Sequence, residues 1–370
     1  MNMKREWKRK SSAIRNVAFV LLAAALLLLA TACGTQKTNE GGATNNAAAG
    51  NASNAAAGNN APGNGATADN AAAGNEAAAD NGTAAGNEVA AAGPQATTYP
   101  LTVKDVTGTE LTFAAAPQRI VTLVPSETEI VYALGAGDAV AAVDNFSNYP
   151  KEAADKPKIG DMNADIEKIV SLKPDLILAS YSMSSAVVDK LRALKLPVYA
   201  SDPKTYDAVI EKVKQIGAVL DKANEAAAVA EHMEQVRTQV ADTVKDAQKP
   251  NVYLEFSPGW TVGKGEFLDE LITLAGGTNI ATEPNWYEID PEAVVKANPD
   301  EIIYASMTVK EGEKNPILAA IESRPGWNAI KAIKNKQVFE VDQDPLTRVG
   351  PRLADGLLEV AKKLHPDLFH

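Results

Sequence analysis

The part of the chain that follows about Tyr99 contains the same pattern twice, and this repeat constrains the fold more than any other feature. A strand-like run that ends in a turn and leads into a helical stretch occurs as RIVTLVPS at 119–126 and again as NVYLEFSPG at 251–259. Further along, IEKIVSLKPDLILAS at 166–180 matches PEAVVKANPDEIIYAS at 291–306, and in both a Glu precedes Pro-Asp and an apolar run. Each match is a short helix, a loop and a buried strand, which is the αβ unit of a parallel sheet. The repeat therefore predicts an α/β fold with two similar lobes.

A stretch rich in Ala, Glu, Lys and Gln separates the two halves, from about residue 206 to 247. It contains no Pro and one Gly, Gly217, while Asp221 and Asn224 are suitable as a turn and a helix cap. The following apolar residues recur at helical spacing: Ala227, Val229, Met233, Val236, Val240 and Val244. This pattern predicts a long backbone helix that joins the lobes, and such a helix indicates a hinge of low amplitude.

Cys33 is the only cysteine, and it stands where an apolar stretch, Val17–Ala32, ends. A cluster of basic residues precedes the stretch, which is the profile of a secretory signal and is shorter than the roughly 20 apolar residues of a spanning helix. The segment resembles a bacterial lipoprotein signal, although Ala30 stands where Leu is commonest. We expect cleavage before Cys33 and a lipid on its thiol. An uncleaved anchor and an ordinary signal peptide with a chance cysteine are the alternatives.

The segment after Cys33 consists mainly of Ala, Asn, Gly and Thr, and the unit NAAAG recurs at Asn46, Asn54 and Asn70. Such a segment buries too little apolar surface to offset the entropy of ordering it. A stacked repeat protein is excluded because the units carry no hydrophobic face. We therefore predict a disordered tether with a reach of about 45 Å, treated as a Gly-rich coil.

These patterns together give a domain organisation in which every boundary is a sequence-based expectation. We place a lipoprotein signal peptide at 1–32 and the lipidated cysteine with its tether at 33–98. The N-terminal lobe follows at 99–222, the connecting helix at 223–247 and the C-terminal lobe at 248–370.

Charge and motif content argue against several classes of function. The formal net charge is −11, whereas nucleic acid phosphates require a basic surface. The histidines, His232, His365 and His370, have no spacing that makes a metal site. No GxSxG motif, P-loop or Cys/His pair is present. We expect a protein that is not an enzyme and that has no metal, no cofactor and no nucleic acid partner.

The chain from about Tyr99 to His370 resembles the substrate-binding proteins of bacterial ABC importers for iron chelates and vitamin B12. The resemblance lies in six segments, which occur in the family's order: RIVTLVPSETEIVYALGAGDAV, the NYP at 148–150, IEKIVSLKPDLILAS, FLDELITLAGGTN, RPGWNAIKAIKNKQVFEVD and GPRLADGLLEVAKKLHPDLF. The resemblance implies two α/β lobes, a connecting backbone helix and a ligand held in a shallow cleft between the lobes. It also implies a partner, an ABC permease dimer.

In proteins similar to this one, an exposed glutamate on each lobe pairs with arginines of the permease. The Thr-Glu at Glu129 matches the first of these, and the internal repeat selects Glu270 as the second, with Asp269 beside it. A carboxylate near a helix N-terminus is also favoured by the helix dipole alone. Glu129 and Glu270 are thus predicted docking residues, with a purely local role as the alternative.

Ligands of α/β sheets bind at the carboxyl ends of the strands, so the loops there should line the cleft. The candidate ligand-binding residues are Phe146, Asn148, Tyr149, Asp161, Met162, Trp260, Trp286, Tyr287, Asp344 and Arg348. Flat aromatic faces suit a corrin ring or a large chelate. Any single aromatic is better explained as part of the core, and it is their shared placement in loops that favours ligand contact. Trp327, inside a helix-like PGWNAI, is expected to be a packing residue.

The expected ligand is a cobalamin-type corrinoid, and the alternative is a ferric siderophore or haem. A siderophore would require cleft arginines against its anionic oxygens, for which Arg348 and Arg352 are the candidates and Arg324 a weaker one. An enzyme or a surface adhesin is a remote alternative. The expected location is the outer face of the cell membrane, with the protein held by its N-terminal lipid.

Overall fold

The computed structural model describes residues 96–369. The predicted signal peptide, the lipidation site at Cys33 and all but the last residues of the tether lie outside this range. Within it, the structure contains no helix with the length and apolar character needed to cross a membrane.

The first lobe is built on a four-stranded parallel sheet that follows a short antiparallel pair. The antiparallel strands are β1 (Leu101–Lys104) and β2 (Glu110–Phe113). The parallel strands are β3 (Ile120–Thr122), β4 (Val140–Val143), β5 (Leu176–Ser180) and β6 (Val198–Ser201). The helices of this part of the chain are α1 (Pro125–Ala133), α2 (Lys151–Ala154), α3 (Ile166–Ser171), α4 (Tyr181–Ala193) and α5 (Tyr206–Val219).

The long helix α6 (Ala223–Val244) leads into the second lobe, which again contains a four-stranded parallel sheet. Its strands are β7 (Asn251–Glu255), β9 (Thr278–Asn279), β11 (Glu301–Ala305) and β12 (Val338–Val341). A separate antiparallel pair consists of β8 (Trp260–Val262) and β10 (Trp286–Glu288). The helices are α7 (Phe267–Leu274), α8 (Pro291–Ala297), α9 (Pro316–Ser323), α10 (Lys331–Lys334), α11 (Gln343–Thr347) and α12 (Leu353–Leu364). Single 3₁₀ turns lie at Gly137–Ala139, Trp327–Ala329 and Pro366–Leu368.

The two sheets have the same topology, so the repeat seen in the sequence is a repeat of structure. The strand order is β4-β3-β5-β6 in one lobe and, read from the corresponding edge, β9-β7-β11-β12 in the other. In both, the first strand lies between the second and the third. Gly135 and Gly276 end the equivalent helices with φ of 68° and 85°, the left-handed region that glycine adopts without strain. The predicted fold class is confirmed.

The aspartate of each repeated Pro-Asp pair forms hydrogen bonds that connect neighbouring strands. The Asp175 carboxylate accepts hydrogen bonds from the backbone N–H groups of Gln118 (2.8 Å) and Arg119 (2.7 Å), immediately before β3. In the second lobe Asp300 accepts one from the N–H of Asn251 (3.0 Å), the first residue of β7. Each aspartate therefore ties the start of the central strand to the start of its neighbour.

Helices α5 and α6 both contribute to the hydrophobic cores of both lobes. On α5, Tyr206 and Val209 belong to the core of the second lobe, whereas Val213 and Ile216 belong to the core of the first. On α6, Ala226 packs in the first core, and the residues from Ala230 onward pack in the second. The sequence-based boundaries assign α5 entirely to the first lobe, but the structure divides it. A rotation of one lobe against the other would have to disrupt the packing of two helices, which is consistent with a hinge of low amplitude.

Glu301, the first residue of β11, is the source of a testable pH dependence. Its Oε2 is buried and accepts no hydrogen bond from the residues that the structure describes. Burial raises the pKa of this carboxyl to about 7, and the neighbouring Asp300 adds to the increase. Because the folded pKa lies above the value of roughly 4.3 of an unfolded glutamate, the folded state loses stability as the pH rises through this interval.

We expect Glu301→Gln to raise the melting temperature at pH 8, where the wild-type carboxylate is charged in the folded protein. The increase should shrink towards pH 5, where the wild-type side chain is neutral. Thermal unfolding followed by circular dichroism at both pH values measures the difference. Glu110→Gln, at an exposed first position of β2, is the matched control and should change the melting temperature little. An equal effect of Glu301→Gln at both pH values would contradict the prediction.

Candidate ligand-binding cleft

A cavity of 310 Å³ lies between the lobes, at the carboxyl ends of strands from both sheets. Its walls come from the starts of α1 and α4, from the loop after β4 and from the segment that includes α11. The lining residues are Val124, Pro125, Ser126, Phe146, Ser180, Met183, Gln343, Asp344, Thr347, Arg348 and Val349. A larger cavity of 770 Å³ is lined by residues between Thr109 and Val198, all from the first lobe. Only the smaller of these two cavities joins the lobes, so it is the candidate binding site.

The loop after β4 presents two aromatic side chains at the cleft. Asp144 anchors this loop because its buried carboxylate accepts the backbone N–H of Phe146 (2.7 Å) and also bonds the Ser147 hydroxyl. Burial raises the pKa of Asp144, and these hydrogen bonds oppose the increase. Phe146 is 62% exposed and Tyr149 is 48% exposed. The anchored loop therefore keeps apolar rings in contact with solvent instead of in the core.

Four charged residues form a cluster that crosses the cleft, and we call Glu129, Asp344, Arg348 and Arg352 the inter-lobe ion cluster. Glu129 on α1 accepts a hydrogen bond from Arg348 Nη1 at 2.6 Å and two from Arg352, from Nε at 2.9 Å and from Nη2 at 2.7 Å. Asp344 pairs with Arg348 at 2.7 Å and with Arg352 at 3.7 Å. Two guanidinium groups thus face two carboxylates, and the cluster as a whole is neutral.

The arginines of this cluster also hold the loop after β4. Arg348 Nη1 donates to Asn148 Oδ1 at 2.9 Å. The guanidinium carbon of Arg352 lies 4.1 Å from the centroid of the Tyr149 ring, a cation–π distance. The second lobe therefore positions the polar and aromatic residues of the first lobe at the mouth of the cleft.

Two further buried ion pairs fix the elements around the cleft. Lys212 Nζ on α5 lies 3.3 Å from Glu127 of α1, and both side chains are buried. Burial lowers the pKa of Lys212, and the Glu127 carboxylate opposes that shift. In the second lobe Arg324 donates to both oxygens of the buried Glu255, at 2.5 and 2.6 Å. Glu255 also accepts the N–H of Gly259 at 2.7 Å and so fixes the turn before β8.

The sequence profile of the periplasmic binding protein family matches residues 120–345, which is more than half of the chain. The chain belongs to the periplasmic binding protein family. The matched segment begins at β3 and ends in α11, so it contains both sheets, the connecting helix and most of the cleft.

Known relatives of this periplasmic binding protein align over most of their own lengths. The uncharacterized ABC transporter substrate-binding lipoprotein YvrC of Bacillus subtilis is 35% identical over 289 residues, which cover 75% of this chain and 90% of YvrC. The periplasmic vitamin B12 binding protein BtuF of Vibrio cholerae, known from a crystal structure, has 29% sequence identity to this chain. Its structure matches with a TM-score of 0.58, over 69% of this chain and 99% of that chain. The crystal structure of a possible iron-binding periplasmic solute-binding protein from Staphylococcus epidermidis is also 29% identical, with a TM-score of 0.59 and coverage of 68% and 100%.

The two predicted docking glutamates of this periplasmic binding protein both interact with other groups of the same chain. Glu129 was expected to be exposed, and this expectation is wrong, because it is 3% exposed and paired with two arginines. The reason is that α1 begins at the carboxyl end of β3 and therefore faces the opposite lobe. Glu270 is partly buried, and its Oε2 accepts the backbone N–H of Tyr206 at 2.6 Å, at the start of α5. Whether either residue contacts a permease stays a prediction.

The predicted ligand-binding residues fall into two groups. Phe146, Asn148, Tyr149, Asp344 and Arg348 come together at the cleft through the contacts above. Asp161 and Met162 are exposed next to the same loop, since the Gly160 carbonyl accepts the N–H of Asn145 at 2.7 Å.

The second-lobe aromatics are distributed differently. Trp286 packs edge-on against Phe256, with ring centroids 4.6 Å apart, and it and Tyr287 lie partly buried against the core. Trp260, in contrast, is 43% exposed at the start of β8. None of these three is among the described residues that line the cavity. Trp327 is buried, as expected of a packing residue.

Sequence reasoning missed Met183 as a cleft residue and considered Arg352 only as a possible partner of a siderophore. Met183 lies in the first turn of α4, directly after β5, and its side chain is 52% exposed while lining the cavity. The sequence feature that could have identified Met183 is an apolar residue directly after a strand whose carboxyl end lies at the cleft. Arg352 lies four residues after Arg348 and acts on the same carboxylate.

Proposed function

We propose that this protein is the extracytoplasmic substrate-binding protein of an ABC importer and that it captures a cobalamin-type corrinoid in the inter-lobe cleft. The observation that carries the proposal is the cleft itself, in which exposed apolar side chains surround a charge-neutral ion cluster. The relatives support the transport role, because YvrC is named as an ABC transporter substrate-binding lipoprotein and BtuF as a vitamin B12 binding protein. The family is a class of transport binding proteins and not a class of enzymes.

The charge balance of the cleft favours a corrinoid. A corrinoid presents flat apolar faces and a rim of neutral amides. Among the described residues that line the cavity, Asp344 and Arg348 are the charged ones, and they pair with each other. Phe146 and Met183 supply exposed apolar surface. At 310 Å³ the cavity is near the lower end of the roughly 300–1,000 Å³ of small-molecule sites, so we expect the macrocycle to lie in the mouth of the cleft.

A ferric siderophore or haem is the second candidate, and the two cleft arginines are the observation that favours it. Guanidinium groups bind the anionic oxygens of such ligands in bidentate geometry. The Staphylococcus epidermidis relative, titled a possible iron-binding protein, is consistent with this alternative. An anionic ligand would, however, have to compete with Glu129 and Asp344 for the same guanidinium groups.

For docking to the permease, we favour a different pair of acids from Glu129 and Glu270. Glu167 and Glu292 occupy equivalent places in the internal repeat, and both are exposed. Each lies in the first turn of a helix whose N-cap is an aspartate, Asp165 for α3 and Asp290 for α8. Two exposed carboxylates, one on each lobe, meet the requirement that the family resemblance sets, without breaking any ion pair.

A lipid on Cys33 completes the proposed function. The name of YvrC as a lipoprotein supports it, and so does the apolar segment before the cysteine. The tether between Cys33 and the first lobe would then allow the binding protein to reach the permease while staying attached to the membrane.

We predict that the purified protein binds cyanocobalamin and returns it chemically unchanged, whereas haem and a ferric hydroxamate bind more weakly. Phe146→Ala or Met183→Ala, which both remove apolar surface that lines the cavity, should each forfeit roughly 1.5 to 3 kcal/mol of buried apolar contact, which is about one to two decades in Kd. Tryptophan fluorescence titration gives the three affinities. Leu194→Ala is the control, because Leu194 is 54% exposed and follows the far end of α4. No cyanocobalamin binding at micromolar concentration, together with tight binding of the ferric chelate, would establish the second candidate.

We predict that Glu167→Lys and Glu292→Lys each strongly reduce ligand uptake by cells while the Kd in solution stays within about twofold, because reversed charges would repel permease arginines. The measurement is uptake of radiolabelled cyanocobalamin, paired with titration of each purified variant. Glu311→Lys, at an exposed loop position, should leave uptake intact. Normal uptake with Glu167→Lys and Glu292→Lys, together with loss of uptake in Glu270→Lys, would restore Glu270 as a docking residue.

We predict that Cys33→Ser leaves the protein unprocessed or releases it from the membrane, since serine has no thiol to carry the lipid. Cell fractionation and the intact mass of the product distinguish these results. Thr35→Ser, which keeps the cysteine, should behave as the wild type. Unchanged processing and membrane retention in Cys33→Ser would exclude the lipid anchor.

A further inference from the structure

Glu129 occupies an unusual position for a structural residue. Its side chain is 2% exposed, and it receives hydrogen bonds from two arginines that belong to the opposite lobe. The lobes are already joined by α5 and α6, and on that side Lys204 also pairs with Glu266 at 3.1 Å. A buried ion pair is weak evidence for a contribution to stability, because desolvation offsets the attraction.

The effect of Glu129 on the cleft is to balance its positive charge. Without Glu129, Arg348 and Arg352 would share one carboxylate, Asp344, and the inter-lobe ion cluster would carry a net positive charge. Lys212 lies behind α1, but Glu127 already pairs with it. Glu129 is thus the buried group that sets the sign of the charge at this end of the cleft.

We propose that Glu129 is a specificity-determining residue, an inference that rests on the proposed function. Glu129 keeps Arg348 and Arg352 from binding the carboxylates of anionic ligands. To bind one of these guanidinium groups, a ligand carboxylate must displace Glu129. Glu129 would then be a buried carboxylate without its partners, which is costly in free energy. A ligand with neutral amides has no such competitor. The cleft consequently selects by charge as well as by shape, and the selecting group lies outside the described cavity lining.

The test compares one anionic and one neutral probe on the same variants. Haem carries two propionate carboxylates, whereas cyanocobalamin has no carboxylate and no net charge, and amide side chains surround its corrin ring. In Glu129→Gln, which conserves the shape of the side chain, we expect the affinity for haem to rise about tenfold or more relative to that for cyanocobalamin, as charge-assisted hydrogen bonds become available. The gain should diminish between 50 and 500 mM NaCl because salt screens the freed charge.

Two variants separate this effect from the mere loss of a buried carboxylate. Asp105→Asn removes a buried carboxylate of the first lobe that pairs with Arg192 and does not line the cleft cavity, so the ratio of affinities should not change. Glu129→Gln combined with Arg352→Gln leaves Arg348 paired with Asp344 and restores neutrality, so the gain should disappear. A folded Glu129→Gln protein with an unchanged ratio would overturn the inference.

Asp344→Asn keeps the test decisive if Glu129→Gln does not fold. Asp344 neutralises the same arginines, but its side chain is 32% exposed, so its loss is tolerated more easily. It should increase the affinity for haem in the same direction by a smaller factor, and no increase would overturn the inference. The inference and the proposed ligand fail separately: failure of the wild type to bind cyanocobalamin rejects the corrinoid, whereas the change in haem affinity between variant and wild type decides the role of Glu129.

Discussion

The architecture of the cleft depends on one constraint, which is that charged side chains are buried here together with their counter-charges. Glu127 with Lys212 fixes α1 against α5, and Glu255 with Arg324 fixes the turn that presents Trp260. An isolated buried carboxylate would be costly, so each of these acids determines where a basic residue from a distant part of the chain must lie. The loops at the carboxyl ends of both sheets take their positions from these pairs.

The inter-lobe ion cluster applies the same constraint between the two lobes. Glu129 meets Arg348 and Arg352 across the cleft, and through these arginines it also influences Asn148 and Tyr149. A single carboxylate thereby affects the charge of the cleft, the position of an aromatic ring and the contact between the lobes. These are the properties through which the proposed selection of ligands by charge would act.

The sequence was sufficient for the fold because the signals that specify it are local. The Pro-Asp pairs, the glycines at helix ends and the apolar runs occur in the same order twice, and each has its structural task within a few residues or at the neighbouring strand. The predicted sheets, lobes and connecting helix follow from them. The division of α5 between the two cores could not be predicted, because its apolar positions form one continuous helical pattern whose two ends face different lobes.

The site was less predictable because its residues depend on partners that are far apart in the chain. Glu129 and Arg348 are separated by 219 residues, and nothing near Glu129 in the sequence indicates that it will be buried. Trp260 and Trp286 look alike in sequence, yet Trp260 is exposed whereas Trp286 is partly buried, because Phe256 and Phe267 pack against Trp286. Loop placement identified the right region of the molecule but not the orientation of each ring.

The sharing of α5 and α6 between two cores has a consequence for the cooperativity of unfolding. Lobes connected by a single flexible segment can lose their structure one at a time. Here neither core is complete without helices that the other core also requires. Unfolding of one lobe would expose apolar residues of the other, so the two lobes form one cooperative unit with a common transition, despite their separate sheets.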